Sequence, residues 1–188
     1  MRYTRPMEKE LATLGGGCYW CLEAFYQRVE GVTKVTSGYS GGNVANPTAE
    51  RVYEGNTGHA EVVQLEFDPQ LISYREILEI FYVMHDPTTL NRQGNDVGEI
   101  YRSVIFYHNN QQQRIALEVT KTFAKPLWPD PIVTLIEPLQ TFWPADNYMQ
   151  NYYNQNPNAG YCQVVIEPKI QKLRQKFAAK LRSQPLGK

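Results

Sequence analysis

The chain is short of cysteine, with three in 188 residues, and the number is odd. That argues against the paired disulfide framework of a small secreted domain. A four-cysteine zinc site is excluded, because Cys18-x-x-Cys21 has no second pair of its spacing. A mixed site would need Cys18, Cys21, Cys162 and one of His59, His85 or His108, and only the first two have ligand spacing. No metal is therefore expected. Net charge is absent as well, since 19 Lys+Arg balance 19 Asp+Glu. Broad electrostatic capture of nucleic acid or of an acidic membrane is not expected. No apolar run reaches the roughly 18 residues of a membrane span. The opening residues, MRYTRPMEKELATLGGG, carry no apolar signal core, which predicts a cytoplasmic location. Glycine patterns of the GxGxxG or P-loop kind are missing, so no nucleotide cofactor is implied.

What is present is a globular composition, 42% hydrophobic and 20% charged, of a length that suits one domain. The stretch GGGCYWCLEAF, residues 15–25, stands out. It reads as a strand end, a tight glycine turn and a helix start, with Cys18 in the first helical turn. A helix start offers unpaired N–H groups and the positive end of the dipole, which stabilise a thiolate. Cys18 is thus a candidate nucleophile. Cys18 and Cys21 together could form a redox pair, or Cys18 could act alone while Cys21 is a helix residue.

Periodicity predicts a strand at Leu11–Leu14, a helix carrying Leu22, Phe25 and Val29, and a strand at Val32–Ser37. The turn formers of SGYSGGNVANPT predict a surface loop there. Residues 59–67, HAEVVQLEF, alternate, so Glu61 shares a face with Val63, Leu65 and Phe67. A carboxyl at the end of a buried stripe is held protonated by desolvation. Ser73 and Glu76 predict a capping box for a helix with Ile77, Ile80, Phe81 and Met84 inward. HDPTTLNRQGNDVGE follows as a long loop, and such loops tend to be functional. Further strands are predicted at Tyr101–Tyr107, Ile132–Ile136 and Gln163–Ile166, and helices after Asn109 or Asn110, at Pro144 and from Pro168 to about 182. The first six elements run strand, helix, strand, strand, helix, strand. That order predicts an α+β fold of the split βαβ, ferredoxin-like plait kind, with extra helices and a long C-terminal segment. One catalytic domain is expected, its core spanning about 11–168.

Four blocks then coincide. GCYW, GYSGG, NPTAERVYEGNTGHAEVV and DPTTLNRQGNDVGEIYRSVIFY resemble, in order, the motifs of type A peptide methionine sulfoxide reductases. The resemblance spans about Gly15 to Pro168, and it implies an α+β enzyme with a mixed sheet. It places Cys18 on the nucleophile and Glu61 on the acid that protonates the sulfoxide oxygen. Tyr39 and Tyr101 fall on the hydroxyls that bind that oxygen, and Asp96 on a supporting acidic position. Tyr19, where phenylalanine is usual, and Trp20 fall on the apolar wall that receives the substrate methyl; His59 neighbours the acid and shapes its loop. The substrates implied are free and protein-bound methionine S-sulfoxide. The implied reductant is thioredoxin or another dithiol, with no other cofactor, and the expected state is a monomer.

The chemistry fits these residue types. A sulfoxide resists a thiolate until its oxygen is protonated or strongly hydrogen-bonded, which a neutral carboxyl among phenols supplies. Attack leaves a sulfenic acid on Cys18, and a second thiol condenses with it. By resemblance Cys162, in NPNAGYCQ, is favoured as that thiol, with Cys21 second. Asp146 and Met149 stand where the family's block usually has glutamate and histidine. Two rival readings remain on the residues alone: a general thiol–disulfide oxidoreductase using Cys18 and Cys21, and a zinc-stabilised interaction domain.

Overall fold

The computed structural model describes residues 8–187, so the expectation about the extreme N-terminus lies largely outside the described residues. Its elements are β1 Glu10–Gly16, α1 Tyr19–Tyr26, β2 Val32–Ser40, α2 Ala49–Tyr53, β3 Ala60–Phe67 and α3 Tyr74–Met84. A small hairpin of β4 Arg92–Gln93 and β5 Asp96–Val97 precedes a 3-10 turn, Glu99–Tyr101, and β6 Ser103–Tyr107. Then come α4 Asn110–Val119, a π-helical stretch Thr120–Ala124, α5 Lys125–Leu127, β7 Leu135–Pro138 and β8 Trp143–Pro144. A 3-10 turn Asn147–Met149, α6 Tyr152–Gln155, a π-helical stretch Cys162–Ile166 and α7 Glu167–Phe177 complete the main elements.

The fold is α+β around a mixed sheet in the order β7-β6-β1-β3-β2-β8. All neighbours are antiparallel except β6 and β7, which run parallel. Alternation on β3 divides the sheet into two faces, as its pattern predicts. Val63, Leu65 and Phe67 pack with Leu14, Phe25 and Ile77 in the main core, under α1, α3 and α7. Ala60, Val62, Val104 and Phe106 form a smaller cluster on the opposite face, beneath Leu139 and Phe142. Glu61 is on the main-core face and is 1% exposed.

Local signals explain several element starts. The Ser73 hydroxyl accepts the N–H of Glu76, and the Glu76 carboxylate accepts the N–H of Ser73 at 2.8 Å, a complete capping box. Asn109 accepts the N–H of Gln112 at 2.9 Å and starts α4. Each such cap is worth about 1 kcal/mol.

Elsewhere the structure departs from the expectation. Gly15 and Gly16 are strand residues paired with Val104 and Ser103, so the turn is confined to Gly17, at φ 94°. Gly15 is needed for close approach: a Cβ there would meet the Glu61 carbonyl and Val104 at 2.9 Å. Cys18 caps α1 rather than lying inside it. β2 does not stop at Ser37 but continues to Ser40, because β3 pairs with it to the end. Thr48, the last residue of the expected loop, caps the short α2 that follows it. Pro144 joins a strand beside β2 instead of opening a helix. Gln163–Ile166, with two β-branched valines, is not a strand; it leads helically into α7, with Ile166 buried in the main core.

Candidate active site

The β2–β3 register builds the centre of the site. Tyr39 and Glu61 are direct cross-strand partners, so both side chains leave the same face toward the start of α1. Glu61 Oε2 accepts the N–H of Tyr19, the residue after Cys18, at 2.9 Å. Burial pushes the Glu61 carboxyl up to about 8, helped by Asp96 and Cys21; the Tyr19 N–H and the Tyr53 hydroxyl pull the other way. At neutral pH it is therefore mostly a neutral acid with a proton to donate.

Phenols surround that acid. The Tyr19 and Tyr39 hydroxyls are 3.1 Å apart, and the Tyr19 and Tyr53 hydroxyls 3.5 Å. Burial pushes Tyr39 up to about 12 and raises Tyr19 further, so both keep their protons. The Tyr101 phenol, also raised by burial, lies within electrostatic reach of Glu61, Asp96 and Cys18. Tyr19 is fully buried, so its ring is packed beneath the site rather than open to it.

The cysteines form a sequence of neighbours. The Cys21 N–H donates to the Cys18 carbonyl at 3.1 Å, and this first turn sets the two sulfurs side by side. Burial, the Cys21 sulfur and the Glu61 carboxyl push the Cys18 thiol up. Cys21 is lowered to about 6, first by its hydrogen bond with Cys18 and then by Lys169. The two sulfurs share one proton across the hydrogen bond between them, and Lys169 favours the charged form of the pair. Cys162 is buried in the main core and feels the charge of Cys21. All three are free thiols.

Aromatic side chains close the site. Trp20 stacks on Tyr152 with ring centres 3.6 Å apart and planes 6° from parallel. Its indole N–H donates to the Met149 carbonyl at 3.1 Å. Tyr161 meets Trp20 edge-on at 6.1 Å. Its hydroxyl donates to Asp96 at 2.8 Å and touches the Cys21 sulfur at 3.7 Å. Beyond it opens a groove of about 540 Å³, lined among others by Asp96, Tyr161, Val165 and Lys169. His59 is spent on its loop: Nδ1 accepts the Gly42 N–H at 3.0 Å, and Nε2 donates to the Val44 carbonyl at 2.7 Å.

The structure therefore gathers Cys18, Tyr19, Trp20, Tyr39, Glu61, Asp96, Tyr101 and Cys21 into one region, with His59 behind it and Cys162 beyond Cys21. Sequence reasoning missed Tyr53, Tyr152 and Tyr161. Tyr53 lies inside the NPTAERVYEGNTGHAEVV block, Tyr152 in the Tyr-rich run DNYMQNYY and Tyr161 beside Cys162, but a tyrosine's hydroxyl partner is not written in its neighbours. Among the described residues, no group of three or more His, Cys, Asp or Glu side chains could hold a metal. No helix among them is long and apolar enough to cross a membrane.

Comparison with known proteins agrees with this geometry. The peptide methionine sulfoxide reductase family model matches residues 10–181. A protein of Polynucleobacter asymbioticus named peptide methionine sulfoxide reductase MsrA is 53% identical over 176 residues, 93% of either chain. Among solved structures, Mxr1 from Saccharomyces cerevisiae in reduced form superposes with a TM-score of 0.79 at 33% identity, over 84% of this chain and 91% of that one. Mxr1 in complex with Trx2 superposes with a TM-score of 0.56 at 26% identity, over 80% and 91%. With the match running through all four motifs and the whole sheet, the chain belongs to the peptide methionine sulfoxide reductase family.

Proposed function

We propose that the chain reduces the S epimer of methionine sulfoxide, free or in proteins, with Cys18 as nucleophile and Glu61 as acid. One observation carries the assignment: a buried, protonated Glu61 seated on the N–H that follows Cys18, with Tyr39 directly opposite. In the first step Glu61 gives its proton to the sulfoxide oxygen, which Tyr39 and Tyr101 also bind. Cys18 attacks the sulfur as its own proton passes to the adjacent Cys21 sulfur. The oxygen transfers to Cys18 as a sulfenic acid, and methionine leaves. Asp96 supports Glu61 electrostatically and anchors Tyr161. Trp20, stacked on Tyr152, is the wall for the substrate methyl.

The geometry favours Cys21 over Cys162 as the thiol that resolves the sulfenic acid, because its sulfur already faces Cys18. The Cys18–Cys21 bond forms with loss of water, the departing hydroxyl taking the Cys21 proton. In this reading Cys162, which feels the charge of Cys21, takes the disulfide onward by exchange. An external dithiol restores the thiols and is itself oxidised. The structure of Mxr1 with Trx2 supports thioredoxin in that role. The order β6-β1-β3-β2, with α1 and α3 over one face, supports a split βαβ plait forming one catalytic domain.

The test is incubation with methionine S-sulfoxide and dithiothreitol. Methionine should form, and its absence would sink the proposal. The contact between Cys18 and Cys21 also suits general thiol–disulfide exchange, for which Glu61 and the phenols would have no use. Insulin reduction without sulfoxide reduction would favour that reading.

A further inference from the structure

The second turn of α1 carries a buried carboxyl that the reaction above does not use. Glu23 is 1% exposed, and none of the ion pairs among the described residues involves it. Its partners are backbone groups: one carboxylate oxygen accepts the N–H of Asn151 at 2.7 Å, the other that of Tyr152 at 3.2 Å. The Ser37 hydroxyl lies beside the same carboxyl. Burying a carboxylate with no cation is costly, and burial pushes Glu23 up to about 7 against those two N–H bonds. A neutral side chain would fill the space more cheaply, so the carboxylate calls for another explanation.

The segment it grips supplies one. Asn151 is held in the left-handed region at φ 54°, which few residues other than glycine and asparagine adopt readily. Its side chain is fully committed, with Oδ1 accepting from Gln27 at 3.1 Å and Asn154 at 2.6 Å, and Nδ2 donating to the Gly187 carbonyl at 3.0 Å. Gln150 is strapped to Ser37 and Ala145 by three bonds of 2.8 to 2.9 Å. Both groups that fix Trp20 belong to this same stretch: the Met149 carbonyl and the Tyr152 ring. Trp20 and Glu23 lie three residues apart on α1 and hold one segment at two points.

We propose that Glu23 is a positioning residue for substrate binding: by holding the N–H groups of Asn151 and Tyr152 it seats the Tyr152 ring on Trp20 and fixes the wall that receives the sulfoxide methyl. The inference rests on Trp20 being that wall. Glu23 touches no reacting atom, so its loss should weaken binding and leave the chemistry intact. Glu23→Gln keeps the shape but turns an NH2 toward one of two N–H donors. With methionine S-sulfoxide and dithiothreitol, its KM should rise about 10-fold while kcat stays within about 3-fold. Cys18 alkylation by iodoacetamide should keep its wild-type rate.

Tyr152→Leu leaves Glu23 in place and removes the stacked ring, and it should raise KM to a similar degree. The double variant should be little worse than Tyr152→Leu alone, since both act through one contact. If Glu23→Gln does not fold, Tyr152→Leu together with Asn151→Gly carries the test, because glycine relaxes the segment without touching the carboxyl and should also raise KM. An unchanged KM in these variants, or additive effects in the double variant, overturns the proposal. Trp20→Leu separates the premises. If it raises KM and Glu23→Gln does not, the Glu23 role alone fails; if it leaves KM unchanged, the wall and the Glu23 role fall together, while the reductase activity still stands.

Discussion

The N–H of Tyr19 donates to the Glu61 carboxyl at 2.9 Å, which locks the acid to the residue that follows the nucleophile. The bond spans 42 residues of sequence. It joins the turn that presents Cys18 to the strand that presents Glu61. A shift of α1 relative to β3 would break this bond, so the bond holds nucleophile and acid in register.

Glu61→Gln retains an acceptor for the Tyr19 N–H but has no acidic proton to give. Sulfoxide reduction should fall by roughly 10²- to 10⁴-fold, the usual worth of a general acid. Iodoacetamide should still alkylate Cys18. A variant with near wild-type kcat would remove Glu61 from the acid role.

The pH dependence follows from the same carboxyl. Its folded value of about 8 lies above the ordinary 4.5, so the folded state keeps a proton that the unfolded chain has lost between those two values. Stability from this group is present in acid and is lost as pH rises through about 8. Between pH 6 and pH 9 the wild-type Tm should therefore fall more steeply than that of Glu61→Gln, and kcat should decline over the alkaline half of the same range. Parallel Tm curves for the two proteins would contradict the assignment.

Tyr19→Phe removes the hydroxyl that links Tyr39 to Tyr53. The loss of a buried hydrogen bond should cost about 1 kcal/mol of stability, read by denaturant unfolding. Because the ring is packed and Tyr39 remains, kcat/KM should fall by less than about 10-fold. A larger loss would make the Tyr19 hydroxyl a direct partner of the sulfoxide oxygen.

Lys169→Met should raise the apparent pKa of the Cys18–Cys21 pair, read by thiolate absorbance. The Cys18 hydrogen bond, the larger influence on Cys21, would remain. An unchanged titration would mean that the Lys169 charge does not reach the sulfur.

Much of this site could be read in the chain. Alternation placed Glu61 on a buried stripe, and the Ser73–Glu76 pair marked a helix start that exists. Tyr39 was placed in a loop because GYSGG is rich in turn formers; pairing with β3 across the sheet overrides that local preference. The valines at 164 and 165 suggested a strand, yet tertiary packing continues them into α7. The Lys169 charge beside the Cys18–Cys21 pair was not legible, since Lys169 lies far away in sequence. Glu23 looked like one more helical glutamate because its partners are backbone N–H groups more than a hundred residues on.

The resolving thiol is where the sequence and the geometry point in different directions, toward Cys162 and Cys21. Cys21→Ser should still complete one round of sulfoxide reduction, slowed by loss of the sulfur that takes the Cys18 proton, but lose thioredoxin-driven turnover, whereas Cys162→Ser should keep most of it. The direct measurement is mass spectrometric peptide mapping of wild-type protein after a single turnover with methionine S-sulfoxide, without reductant and with free thiols blocked. The account predicts one methionine released and Cys18 joined to Cys21. Cys18 joined to Cys162, or unmodified Cys18 beside released methionine, would contradict it.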